Sequence, residues 1–177
     1  MIALSPTPVL MTDRFVLRAP AARDFAAWRD FILSDRGAIL RTEPFGLPEA
    51  WAKFSTILGH WVLRGYGLFT VTDHDSDRAL GLVGPWLPEG RPEPEIAWSC
   101  WDAAREGTGM MAETARTARR FAFDTLGWTT AVSYILPENT RSAALARRLG
   151  AQIDATAAQP AQPCDVYRHP NPERAAA

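Results

Sequence analysis

Three observations predict a single α/β (α+β) domain with a mixed sheet. Short runs of β-forming residues alternate with segments of helical periodicity. A unit of strand, glycine turn and long helix begins mid-chain, after three consecutive strands. The length of 177 residues, without a repeat or long linker, fits one core that needs neither metals nor disulfides. The domain is read as residues 1–177, with a leader over 1–11 and a frayed tail over 170–177.

Pro6 and Pro8 oppose regular structure in the leader. Arg14-Phe15-Val16-Leu17-Arg18 alternates polar and apolar residues and predicts a strand ending before Pro20. From Ala21 to Ser34, Phe25, Trp28, Ile32 and Leu33 recur at helical spacing. Pro48 suits the first turn of a second helix, with Trp51, Phe54, Ile57, Leu58, Trp61 and Val62 on one broad apolar face and Gly65 and Gly67 ending it. Trp28, Trp51 and Trp61 are expected in the core.

Leu68–Thr72, Ala79–Trp86 and Glu95–Trp101 are the next strands, separated by the polar run Asp73–Arg78 and the Pro/Gly segment Pro88–Pro94. A helix from about Thr108 to Leu126 carries Met111, Ala115, Ala118 and Ala122 as a small-residue stripe suited to close packing on a sheet, and Gly127 closes it. Thr129–Leu136 is a buried strand, rich in Val132, Tyr134 and Ile135. Asn139–Leu149 is a short helix stopped by Gly150. A short strand near Gln152-Ile153 and another over Asp165–His169 complete the order.

A net charge of -1 gives no general reason to expect nucleic acid or an anionic membrane as partner. The N-terminus lacks the basic head and apolar run of a signal peptide, and no apolar stretch spans a bilayer, so the expectation is a cytoplasmic protein. Cys100 and Cys164 are too few and too distant for a disulfide scaffold, and His60, His74 and His169 pair with neither at ligand spacing. No metal is expected.

Arg105-Glu106-Gly107-Thr108-Gly109-Met110 joins a strand to the long helix. Two close glycines let backbone approach a ligand, and the unpaired N–H groups at a helix start attract anions. A P-loop would need Lys and then Ser or Thr after the second glycine, where Met110-Met111 stands. Gly107-Thr108-Gly109-Met110-Met111-Ala112 formally matches a dinucleotide fingerprint. Against that, Asp102–Glu106 separates strand from glycine, and no acidic residue ends the next strand to hold a ribose.

Arg105 through Thr114 resembles the pyrophosphate turn and following helix of the GNAT acetyltransferases. Thr12–Arg18, Glu95-Ile96-Ala97-Trp98, Pro137–Ser142 and the Leu149-Gly150 helix end are similar to the branch that acetylates ribosomal-protein N-termini. The resemblance covers about residues 10 to 155. Ala104, Ala146 and Ala151 depart from it, at positions where relatives carry a Gln or Arg, a tyrosine acid and an aromatic.

The resemblance implies a GNAT-like, mostly antiparallel sheet of six to seven strands with about four helices, its central strands splayed to admit coenzyme A. It implies acetyl-CoA as co-substrate and an amine acceptor, either a small molecule or a protein N-terminus, with the chain a monomer or homodimer. The coenzyme would lie along Ser99, Cys100, Trp101, Arg105, Glu106, Gly107, Thr108, Gly109, Met110 and Asn139, with a backbone N–H near Ser99–Trp101 polarising the thioester carbonyl.

Transfer to an amine requires a base, stabilisation of an oxyanion and a proton for the departing thiolate. Glu95 is the best-placed base, or else an exposed residue starting its strand. By resemblance Ser142 donates to the thiolate; the plainer reading is a helix-start residue bonding its own backbone. Asn139 is an N-cap, a contact to the coenzyme arm, or both. Tyr134 is an alternative acid or a core residue, and Arg141 and Arg147 either reach the nucleotide phosphate or line a solvated face. Glu113 reads as stabilising the helix start. Trp86 and Trp98 line an acceptor pocket or pack in the core, and the acceptor loops fall around Arg36–Leu47 and Ala155–Cys164. A non-catalytic acyl-CoA-binding or sensing domain is the competing function.

Overall fold

A computed structural model describes residues 6–41 and 44–171. The start of the leader, part of the first acceptor loop and the alanine-rich end lie outside the described residues. In chain order the elements are β1 (Leu10–Met11), β2 (Phe15–Arg18), α1 (Phe25–Ile32), α2 (Leu47–Arg64), β3 (Phe69–Asp73), β4 (Ser76–Trp86) and β5 (Glu95–Cys100). There follow α3 (Met110–Arg120), β6 (Val132–Ile135), α4 (Thr140–Arg148), β7 (Gln152–Ile153) and β8 (Asp165–Arg168). The strands form one eight-stranded sheet in the order β1-β2-β3-β4-β5-β6-β8-β7.

The leader is more regular than its prolines suggested. Leu10 and Met11 pair antiparallel with Leu17 and Val16, adding a short edge strand. The long helix ends as expected before Gly127, but its last turn, Phe121–Thr125, widens to a π-turn. Its stripe packs as predicted: Ala115, Ala118 and Ala122 are fully buried, and Met111 packs against the core. Small side chains there let the helix axis lie close over β4 and β5.

One helix face is narrower than its periodicity implied. Phe54, Ile57 and Trp61 are buried, whereas Trp51 is 58% and Val62 67% exposed. Trp51 meets Phe25 edge-on at 4.9 Å, while the buried face centred on Phe54 and Trp61 packs against Trp28 of α1 and Phe69 of β3.

Every neighbouring pair of strands is antiparallel except β5 and β6, which are parallel and joined through α3. They meet only where Glu95 faces Val132, with the Val132 N–H donating to Pro94 O at 2.9 Å. One residue further on, the Ser133 hydroxyl donates to Ile96 O at 2.6 Å, a side chain replacing the ladder as the strands part. His169 seals this point: its buried ring stands with Nε2 2.9 Å from Ser133 Oγ. With the hydroxyl hydrogen committed to Ile96, Nε2 is the donor and Nδ1 has no partner among the described residues.

Candidate active site

The gap between β5 and β6 exposes one edge of β5. Alternation fixes which residues face it: Ile96 O takes the Ser133 bond and Cys100 O takes Arg36, so residues 96, 98 and 100 turn their backbone groups toward the gap. The odd-numbered residues face β4, where the Trp101 N–H donates to Leu80 O at 2.8 Å. Of the expected Ser99–Trp101 donors, only the Cys100 N–H, with that of Trp98 beside it, is directed to the gap.

Two hollows open on this edge. The first has a volume of about 620 Å³ and runs from Ser99 and Cys100 to Arg105, Gly107, Gly109 and Met110. The second, about 360 Å³, is walled by Trp86, Trp98 and Tyr134 and contains Glu95, Arg91 and Lys53. Trp98, Ser99, Asn139 and Ser142 line both.

The first hollow suits a diphosphate. Gly107 and Gly109 have φ of 73° and 84°, a left-handed conformation that favours glycine. The first helical bond of α3 is Glu113 N–H to Gly109 O, leaving the N–H groups of Met110, Met111 and Ala112 ahead of the ladder. The turn is held from behind. Arg14 donates to Thr108 O, and Glu113 accepts from Thr12 Oγ1 at 2.7 Å and Arg14 Nε at 2.7 Å. Burial pushes the Glu113 carboxyl up, but these bonds outweigh it and the pKa lies below the ordinary value. Glu113 thus anchors β2's approach as well as stabilising a helix start.

The arginines around the groove are shared. Glu106 binds Arg36 at 2.6 Å and Arg141 at 2.5 Å, while Arg36 also holds Trp101 O and Cys100 O. Arg105 pairs with Asp73 at 2.7 Å. Arg148, which sequence reasoning passed over, lines the groove; Arg147 instead donates to the Tyr167 hydroxyl. Two expected coenzyme residues line neither hollow. Trp101 packs against Trp28 with 5.6 Å between ring centroids, and the Thr108 hydroxyl bonds Arg105 O at 2.7 Å.

Gly109 offers a direct check. A Cβ there would meet only Arg14 Nη2 at 3.5 Å, so space is not the constraint; backbone conformation is. Gly109→Ala is expected to cost about 1 kcal/mol in stability. By tilting the N–H groups off the ligand it should also weaken acetyl-CoA binding about tenfold in calorimetric titration.

Asn139 is the N-cap of α4, its Oδ1 accepting the Ser142 N–H at 3.1 Å. The Ser142 side chain does not bond its own helix. Its Oγ accepts the Trp98 indole N–H at 3.2 Å, and no bond among the described residues takes its hydrogen. Glu95 is 5% exposed, not an open strand start. Burial pushes its carboxyl up; the Arg91 guanidinium, which binds Glu95 Oε2 through Nε at 2.8 Å and through Nη2, opposes this without cancelling it. Arg91 was not foreseen, because it reaches Glu95 from a turn and no helical spacing announces the pair. Tyr134 lies under the Arg91 guanidinium at 4.6 Å and donates its hydroxyl to Ala158 O. The Cys100 thiol is pushed up to about 11 by burial first of all, so it is protonated at neutral pH. Among the described residues no group of three or more His, Cys, Asp or Glu is placed to hold a metal, and no helix is long and apolar enough to cross a membrane.

Comparison with known proteins agrees with this arrangement. The profile for the acetyltransferase (GNAT) domain matches residues 14–152. An acetyltransferase from Agrobacterium tumefaciens is 35% identical, with a TM-score of 0.86 over 97% of this chain and 99% of its own. A ribosomal-protein-S5-alanine acetyltransferase from Vibrio fischeri shares the fold at 16% identity and a TM-score of 0.65, covering 92% of this chain and 94% of that one. A spermidine N-acetyltransferase chimera from Vibrio cholerae does so at 16% and 0.65, over 87% and 92%. The splayed strands, the glycine turn and the family match lead to one conclusion: the chain belongs to the GNAT family and is an acetyl-CoA-dependent N-acetyltransferase.

Proposed function

We propose that the acceptor is a primary amine, on a small molecule or a protein N-terminus, and that it attacks the thioester directly in a ternary complex. The carrying observation is the shared wall of the two hollows. A coenzyme along the first and an amine in the second would meet at Trp98, Ser99 and Ser142. Direct attack is supported by the Cys100 thiol, which is protonated and therefore a poor acyl acceptor.

The amine nitrogen forms a bond to the carbonyl carbon as the carbon–sulfur bond breaks. The Cys100 N–H faces the developing oxyanion. Glu95, its pKa raised by burial, takes the amine proton directly or through water. The Ser142 hydroxyl donates to the departing thiolate, and the proton held at Glu95 passes through solvent to restore that hydroxyl, giving an amide and a free thiol.

Initial rates of thiol release, with both substrates varied, test the scheme. Intersecting double-reciprocal lines are expected; parallel lines, the signature of an acyl-enzyme, would overturn direct attack. A protein that binds acetyl-CoA yet releases no thiol with any amine would instead be a non-catalytic sensing domain. Ser142→Ala is expected to lower kcat about tenfold to a hundredfold while leaving acetyl-CoA affinity within about twofold. If neither changes, the Ser142 hydroxyl serves only to accept the Trp98 indole N–H.

A further inference from the structure

The second hollow carries more positive than negative charge. Glu95 is already neutralised by Arg91, whose Nε and Nη2 both serve one carboxylate oxygen. A second cation, Lys53, lines the same hollow from α2. Its ammonium donates to Leu40 O and forms no ion pair with a carboxylate among the described residues. The side chain is solvent-exposed, with its ammonium 6.0 Å from the Phe45 ring centroid and no anion beside it among the described residues. The lining also includes the apolar and aromatic side chains of Ile57, Leu82, Trp86 and Trp98.

This pattern discriminates between amines. A polyamine would bring extra positive charge against Lys53 and Arg91. An amine that also bears a carboxylate on an apolar or aromatic body would supply the anion Lys53 lacks and lay its body along the tryptophans. The geometry points to a carboxylate-bearing amine of amino-acid size as the acceptor, with Lys53 binding the carboxylate. Lys53 is thus a specificity-determining residue, distinct from the groups that move protons. The inference rests on the amine-transfer reading above.

The test uses the full chain, acetyl-CoA and three amines: L-phenylalanine, its decarboxylated counterpart phenethylamine, and spermidine. The wild type is expected to turn over phenylalanine with kcat/KM at least about tenfold above phenethylamine, and spermidine least well. Lys53→Met keeps the apolar stem and removes the charge. It should abolish that preference by raising KM for phenylalanine, with phenethylamine unchanged, and Lys53→Arg should restore it. Phenethylamine or spermidine taken as well as phenylalanine would overturn this inference and leave amine transfer standing. So would a preference that survives Lys53→Met. Turnover of none of the three, in protein that binds acetyl-CoA, would overturn this inference, and failure with peptide N-termini as well would overturn both.

Discussion

Glu95→Gln is expected to lower kcat by about a hundredfold or more while acetyl-CoA binds normally. The side chain is almost wholly buried, so the amide keeps the volume but loses the capacity to take a proton and the charge that pairs with Arg91. The pH profile separates this from a structural effect. In the wild type kcat/KM should fall on the acid side as Glu95 is protonated, with the limb above the ordinary carboxylate range because burial outweighs the Arg91 ion pair. Glu95→Gln should remove that limb. Arg91→Met should keep it and move it to higher pH, since the group opposing the upward shift is gone. An unchanged limb in Glu95→Gln assigns the base elsewhere.

Stability should fall as pH drops below about 6.5, before most carboxylates titrate. His169 is buried with Nδ1 unpartnered among the described residues, and burial first, then the nearby charge of Arg119, lowers its pKa to about 3. Its folded-state pKa is thus depressed below the unfolded value of 6.5. The stability linked to its neutral form is complete above 6.5 and is lost progressively as pH falls toward 3. A group of this kind costs about 1.4 kcal/mol per pH unit, or roughly 2 kcal/mol between pH 6.5 and 5. His60 adds in the same direction. Its pKa is lowered, chiefly by burial, and Nδ1 donates to Tyr66 O while Nε2 accepts the Leu87 N–H, so protonation at Nε2 would break a bond. Urea denaturation at pH 7, 6 and 5 checks this. His169→Gln should be less stable at pH 7 but show a flatter decline, and an equal slope would contradict the assignment.

His169 also shows where sequence reasoning stops. Asn139 as a cap and Gly107 and Gly109 as a turn were legible because backbone rules act over a few residues. The stripe of Ala115, Ala118 and Ala122 was legible because helix period and side-chain size together demand close packing. The Ser133–His169 contact and the Glu106 bridge to Arg36 and Arg141 join residues brought together only by tertiary structure, and the Arg91–Glu95 pair closes through a turn that no period announces. Local pattern carries no trace of them. Trp51 marks the opposite limit: apolar periodicity states which face is apolar, not how wide a strip the sheet will cover.

The alternation along β5 sharpened the site in the same way. Sequence located a strand whose backbone would face the thioester, but only the sheet register decides between neighbours. Trp101 spends its N–H on Leu80, and Cys100 does not. The same strand separation that frees this edge is fixed by Ser133 capping Ile96 O.

The central claim is that coenzyme A is held by its diphosphate on the Gly107–Met110 turn. Thermal unfolding with ligand tests it most directly. Acetyl-CoA at about one hundred times its Kd should stabilise the folded state by about 2.7 kcal/mol, raising Tm by roughly 5–10 °C. Gly109→Ala should lose much of that shift at the same concentration, and NADH and ATP should give little. No shift with acetyl-CoA, or an equal shift with NADH, would contradict the account.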